Sequence, residues 1–211
     1  MTKIVHRVKS ILLCSGGVDS TTLAYWLIKK KINFIPLFID YGQHCASTEY
    51  DTLINVLPIG IAKKVKRIQI RDIYEGSSSR LINEANLWED SVSDKDLYLP
   101  YRNLLLLTIA SSFAQSRGYM RIYAGFINSN HAKEIDCSAA FFNKLSKMLT
   151  EYGKVKIEMP FRNMSKVEVA RLGLKLKAPI AKTYSCQAKA KVPCGACPNC
   201  VERLTAIESL N

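Results

Sequence analysis

Apolar runs of four to eight residues recur along the chain, separated by amphipathic stretches. Runs of that length suit strands buried on both faces, and the stretches between them suit crossover helices. Strands are expected at residues 10–14, 33–40, 65–70, 121–126 and 155–159, and helices at 21–31, 45–57, 102–117, 139–152 and 165–174. The alternation predicts an α/β fold with a doubly wound, mostly parallel five-stranded sheet. Its binding crevice should lie beyond the carboxyl ends of the strands.

Two regions break the rhythm. Residues 71–100 turn polar, with Gly76-Ser77-Ser78-Ser79 followed by Glu89, Asp90, Asp94 and Asp96. A stretch of that length reads as a lid, a subunit contact or a solvated excursion. Beyond Lys175 the periodicity fades and cysteines accumulate. The expected organisation is therefore a domain of residues 1–180 with a C-terminal module, 181–211, packed on it.

The 211 residues are 48% apolar and 23% charged, which is ordinary globular composition and enough for a core without disulfide staples. No apolar run approaches the roughly 18 residues of a membrane span, and residues 11–14 are too short for the core of a secretion signal. Seven cysteines, an odd number, fit a reducing cytoplasm better than a disulfide framework. Thirty Lys and Arg face 18 Asp and Glu, for a net charge of +12. That field attracts anions such as a nucleotide, a nucleic acid or an acidic protein partner. The basic residues are scattered rather than gathered into a tail, so a plain solvated surface is the alternative.

The most informative segment is Ser15-Gly16-Gly17-Val18-Asp19-Ser20, set between a strand ending at Cys14 and a helix opening with Thr21 and Thr22. Glycines let backbone N–H groups approach a phosphate, and hydroxyls at a positive helix end add donors. Residues Cys14 to Thr22 are thus candidate nucleotide contacts. Asp19 would repel bare phosphate, so it suits magnesium held on that phosphate. The spacing is neither the Walker loop nor the dinucleotide fingerprint. It resembles the PP-loop of ATP pyrophosphatases, which split ATP between its α and β phosphates and leave AMP on a substrate oxygen. At the end of the second strand, Asp40-Tyr41-Gly42-Gln43-His44 offers Tyr41 to stack on a purine and Gln43 to hydrogen-bond it, or Gly42 merely makes a turn.

Cys186, Cys194, Cys197 and Cys200 are spaced so that four thiolates can reach one ion, with Pro193, Gly195 and Pro198 shaping a tight knuckle. Four protein ligands leave no open position, so the metal is structural. Zinc is the natural occupant, and an iron–sulfur cluster is the alternative.

Together with Pro100-Tyr101-Arg102-Asn103 and Thr183-Tyr184-Ser185-Cys186, these motifs resemble the QueC family of 7-cyano-7-deazaguanine synthases through nearly the whole chain. The resemblance implies an adenine-nucleotide α-hydrolase fold, a homodimer, structural zinc and magnesium-ATP. It also implies a reaction: the carboxylate of 7-carboxy-7-deazaguanine is adenylated, ammonia displaces AMP to give an amide, and a second ATP carries the amide to the nitrile. Asp19, Arg102 and Lys166 are then the candidate catalytic residues, with Lys182 a weaker candidate of the same kind, and Asn103 and Asp136 are the candidate substrate contacts. Asp136 can instead cap the helix from Ala139, and Lys166 can be a solvated helical lysine.

The chain departs from the family pattern at Glu134, Ile135 and Ser138, where the family tends towards Tyr, Pro and Arg, and at Gln187, where it tends towards Tyr. A remodelled pocket leaves two further readings: transfer of the acyl group to an amine of a partner protein, as in defence-type relatives, and PP-loop modification of tRNA. No RNA-binding domain is evident, so nucleic acid is not the expected partner.

Overall fold

The computed structural model describes residues 10–86, 88–89, 91–127 and 137–209. Five parallel strands form one sheet in the order β3-β2-β1-β4-β5, with β1 Ser10–Leu13, β2 Ile35–Asp40, β3 Lys66–Gln69, β4 Arg121–Ala124 and β5 Lys156–Glu158. The chain walks outward from β1 to β3, then crosses back to the other side of β1 for β4. That reversal opens a crevice where the ends of β1 and β4 diverge. The expected doubly wound architecture is borne out.

The helices follow the predicted places: α1 Val18–Lys29, α2 Ala46–Val56, α3 Ile59–Ala62, α4 Arg102–Gln115, α5 Ala139–Tyr152, α6 Lys166–Lys175 and α7 Pro198–Glu208. Alternation along the strands divides the core. Leu12, Phe38 and Tyr123 pack with Leu23, Leu27 and Val169 of α1 and α6. Ile11, Leu37, Ile39 and Ile122 point the other way and pack against Ala110 and Ala114 of α4. Each fully buried Leu or Ile contributes about 1.5–3 kcal/mol of transfer free energy.

Helix α1 starts three residues before its predicted position, at Val18, because Gly17 supplies the extended cap. Helices α3 and α7 were not anticipated. The second opens with Pro198 at its first turn and is capped by Cys197, so cysteine, proline and glycine hid the apolar period at its start.

Most described residues of the 71–100 stretch are exposed, but the stretch is anchored at several points. Leu81, Leu97 and Leu99 are buried around Tyr41, and Ala85 joins the cysteines in a second cluster. The Ala85 N–H donates to Ala188 O at 3.0 Å, so this segment bridges the sheet end and the module.

Candidate active site and metal centre

The phosphate loop leaves β1 through Gly16, whose φ of +80° is left-handed. A Cβ there would lie 2.8 Å from Leu53 N and 2.9 Å from Glu49 O, so only glycine lets α2 press against the loop. Ser20 Oγ donates to Gly17 O and accepts from Ser15 N–H, both at 3.3 Å, which fixes the turn. Helical geometry leaves the N–H groups of Val18, Asp19 and Ser20 without carbonyl acceptors at the positive end of α1. Gly17, Asp19 and Ser20 border a cleft of about 220 Å³ that runs from Leu13 and Ile39 to Arg102. A second lobe of about 190 Å³ shares Asp19, Arg102, Asn103, Phe126 and Gln187 with it.

Not every expected nucleotide contact has its side chain in this cleft. Ser15, Gly17, Asp19 and Ser20 line it. Val18, Thr21 and Thr22 are fully buried; Val18 packs on Ala170 and Ala206, and Thr22 Oγ1 donates to Val169 O. Spaced i, i+3 and i+4, the three share the inward face of α1, where Val18 and Thr22 pack on α6, while Asp19 falls on the cleft side. Cys14 borders the cleft, but its thiol donates to Leu12 O and Leu37 O, and burial pushes its pKa up to about 12. It is a wall residue and no nucleophile.

Lys166 is the first residue of α6, set there by a capping box in which Ser165 and Glu168 satisfy each other's backbone N–H groups. Its Nζ lies 2.7 Å from Asp19 Oδ2 and 3.8 Å from Glu202 Oε2. Burial disfavours the ammonium, but the two carboxylates outweigh it and raise the pKa, so Lys166 is a held cation rather than a solvated one. The other oxygen, Asp19 Oδ1, is buried without a hydrogen-bond partner. An orphaned carboxylate oxygen at a phosphate loop fits a magnesium ligand.

Arg102 opens α4 immediately after Tyr101, which takes a left-handed φ of 55° to turn the chain into the cleft. Its guanidinium hydrogen-bonds the Tyr41 hydroxyl, whose pKa burial raises against that pull. Asn103 is buried, lines both lobes, and donates from Nδ2 to Cys137 Sγ at 2.9 Å. Asp136 lies outside the described residues. The cap of α5 is Ser138, whose Oγ accepts from Phe141 N–H, rather than Asp136. Lys182 is exposed and borders neither lobe.

The turn after β2 is built differently from the expectation. Gln43 Oε1 accepts from Tyr41 N–H at 2.9 Å, and its Nε2 donates to Ile39 O at 3.4 Å and Glu49 Oε2 at 3.0 Å. Gln43 thus braces the turn, and its side chain also lines the cleft. The Tyr41 ring meets Tyr74 edge-on at 6.0 Å within the apolar cluster, so it walls the cleft. Asp40 is held by Arg67 and Arg71 at 2.7 and 2.8 Å.

Two site residues were missed. Glu49 lines the cleft, and burial pushes its carboxyl up to about 7 against the pull of Gln43, Cys45 and Arg102. Arg162 bonds the carbonyls of Ile127 and Cys137 and lies over the Phe142 ring, tying the end of β4 to the start of α5. Neither sits in a motif; each is one charge in an amphipathic stretch.

The four cysteines converge. Their sulfurs all lie within 4.8 Å of one another, with Cys194 Sγ and Cys200 Sγ 3.9 Å apart. Tetrahedral zinc with bonds of about 2.3 Å separates its sulfurs by roughly 3.8 Å. The N–H groups of Lys189 and Cys194 donate to Cys186 Sγ, and that of Cys197 donates to Cys194 Sγ, as thiolates require. The donor set fits zinc. The module also reaches the cleft: Gln187 lines both lobes, its carbonyl meets His44 Nε2 at 3.0 Å, and its Oε1 accepts from Asn199 Nδ2 at 2.6 Å.

Fold and site define a nucleotide-binding α/β protein with a phosphate loop at the sheet's switch point and a four-thiolate metal module beside it. The chain belongs to the QueC family, "Queuosine biosynthesis protein QueC", whose model it matches over residues 9–211. It is similar to 7-cyano-7-deazaguanine synthases along their length. It is 29% identical to that of Thermoplasma acidophilum over 95% of this chain and 87% of the relative. It is 29% identical to that of Methanospirillum hungatei over 96% of both. It is 31% identical to that of Porphyromonas gingivalis over 94% of this chain and 91% of the relative. Among the described residues no helix is long and apolar enough to cross a membrane.

Proposed function

We propose that this chain uses ATP to adenylate the carboxylate of 7-carboxy-7-deazaguanine and passes the acyl group to ammonia, giving the amide and, with a second ATP, the nitrile. The observation that carries this reading is one cleft lined by the start of α1, by Asp19, which Lys166 holds from behind, and by Arg102.

A carboxylate attacking a phosphate brings two anions together, so the site must neutralise both. The N–H groups of Val18, Asp19 and Ser20 take the phosphate oxygens, and the Arg102 fork spans two oxygens of the phosphate under attack. Lys166 fixes the Asp19 carboxylate through Oδ2 and leaves Oδ1 without a protein partner. Asp19 Oδ1 would hold a magnesium ion, which would supply charge neutralisation to the pyrophosphate leaving group. Asn103, Phe126 and Gln187, common to both lobes, border the place for a flat base whose carboxylate points at Arg102. Zinc on the four cysteines holds the module, and Gln187 with it, in position.

Purified protein given ATP and 7-carboxy-7-deazaguanine should release AMP and pyrophosphate and yield an amide or nitrile mass. Release of ADP overturns the reading.

The +12 charge supports a second reading, in which the acceptor amine belongs to an acidic protein partner. Product masses measured with ammonia, with candidate partner proteins and with tRNA separate the acceptors. A cytoplasmic homodimer is part of the first reading, and sedimentation of the purified chain tests the dimer.

A further inference from the structure

Acyl transfer to an amine releases a proton, and the cleft must hold a group able to take it. The described titratable groups on its nucleotide lobe sort by environment. Cys14 is buried and pushed up to about 12, Tyr41 is raised, Arg102 stays a cation, and Asp19 is bound by Lys166. Glu49 remains. Its backbone carbonyl lies against Gly16, which sets the side chain beside the phosphate loop, and Gln43 Nε2 holds its Oε2 at 3.0 Å, which fixes the rotamer.

We infer that Glu49 is the proton acceptor for the amine in the acyl-transfer step, an inference that rests on the reading above. The amine nitrogen attacks the acyl carbon, the carbon–oxygen bond to AMP breaks with its electron pair leaving on AMP, and one N–H proton moves to the Glu49 carboxylate. The groups facing Glu49 are Gln43, Cys45 and Asp40 from the β2 end and its turn, Tyr41 beside them, Arg102 from α4 and Tyr184 from the module. Burial raises its pKa to about 7, with Asp40 adding to the rise while Gln43, Cys45 and Arg102 oppose it. A carboxyl of that strength carries and releases a proton at working pH, which is what a general base needs. The timing follows from charge. A bound triphosphate raises the carboxyl further and keeps it neutral, and departure of pyrophosphate lets it ionise when the amine must be deprotonated.

The test measures two rates on the intact chain, pyrophosphate exchange with the acid and ATP, and amide formation, across roughly pH 5.5 to 8.5. Methoxyamine serves as the amine because it is neutral over that range, so the acceptor's own titration does not enter. Wild type should show an acidic limb in amide formation near pH 7. In Glu49→Gln, which keeps an acceptor for Gln43 Nε2, the limb should vanish and the ratio of amide formation to exchange should fall about 100-fold. A wild-type profile without the limb, a limb retained in Glu49→Gln, or an equal fall in both rates overturns the inference while the adenylation reading stands. A wild-type chain that forms no adenylate overturns both.

Discussion

Lys166 Nζ lies 2.7 Å from Asp19 Oδ2, so the first turn of α6 grips the first turn of α1 across 147 residues of sequence. Asp19 lines the cleft, and the two side chains are only 12% (Lys166) and 22% (Asp19) exposed. Lys166→Met should therefore disturb the carboxylate that faces the phosphates. AMP release should fall at least about 100-fold, the cost of losing one well-placed charge near a developing anion. An assay of AMP release against ATP concentration checks it, and activity retained within a few-fold would return Lys166 to a packing role.

The metal prediction concerns stability and stoichiometry. One zinc per chain is expected by metal analysis, and Cys197→Ser should lose it. Cys197 is one of the four clustered thiols, so losing it removes a metal bond and the melting temperature should drop by more than about 5 °C. Chelation of the wild type should reproduce that drop, and re-addition of zinc should reverse it.

Two glycines with nearly the same φ make a controlled comparison. Gly16→Ala meets the backbone of Leu53 and Glu49, whereas Gly76, at φ +77°, has nothing within 4 Å. Urea titration should show a loss of about 3 kcal/mol for Gly16→Ala and about 1 kcal/mol for Gly76→Ala. Equal losses would mean that α2 yields to the added methyl.

Asp40 predicts an acid limit. Burial alone would raise its pKa, but Arg71, Arg67, the Gly42 N–H and Gln69 together bring it below its ordinary 3.8. A depressed carboxyl contributes stability above its unfolded pKa and loses it as pH falls through the folded value. Unfolding midpoints should thus decline below about pH 4, and Asp40→Asn should flatten that slope. The substitution should cost about 2 kcal/mol at neutral pH, less than for a fully buried pair because Arg71 is 56% exposed.

Much of this was legible in the chain because burial on both faces leaves unbroken apolar runs. Ile-Leu-Leu-Cys and Ile-Pro-Leu-Phe-Ile announce β1 and β2, and the glycine pair between strand and helix announces the phosphate loop. Side-chain direction within the loop was not legible. Val18, Thr21 and Thr22 share a motif with Asp19 and Ser20, yet the helix turns them into the core. Gln43 looked like a ligand contact because polar residues after a strand usually are, and its partners are set by the fold of its own turn. Glu49 left no signal, because its chemistry comes from the neighbours that bury it and not from its spacing.

Tyr184, two residues before the first thiolate, gives its N–H to Gly16 O at 3.2 Å, and Glu84 pairs with Lys189 at 3.5 Å from the other side. The phosphate loop is thereby laced to the knuckle of four thiols that a trace element would close. A demetallated chain should accordingly lose its grip on nucleotide at temperatures where the sheet is still intact, before its lowered melting point is reached.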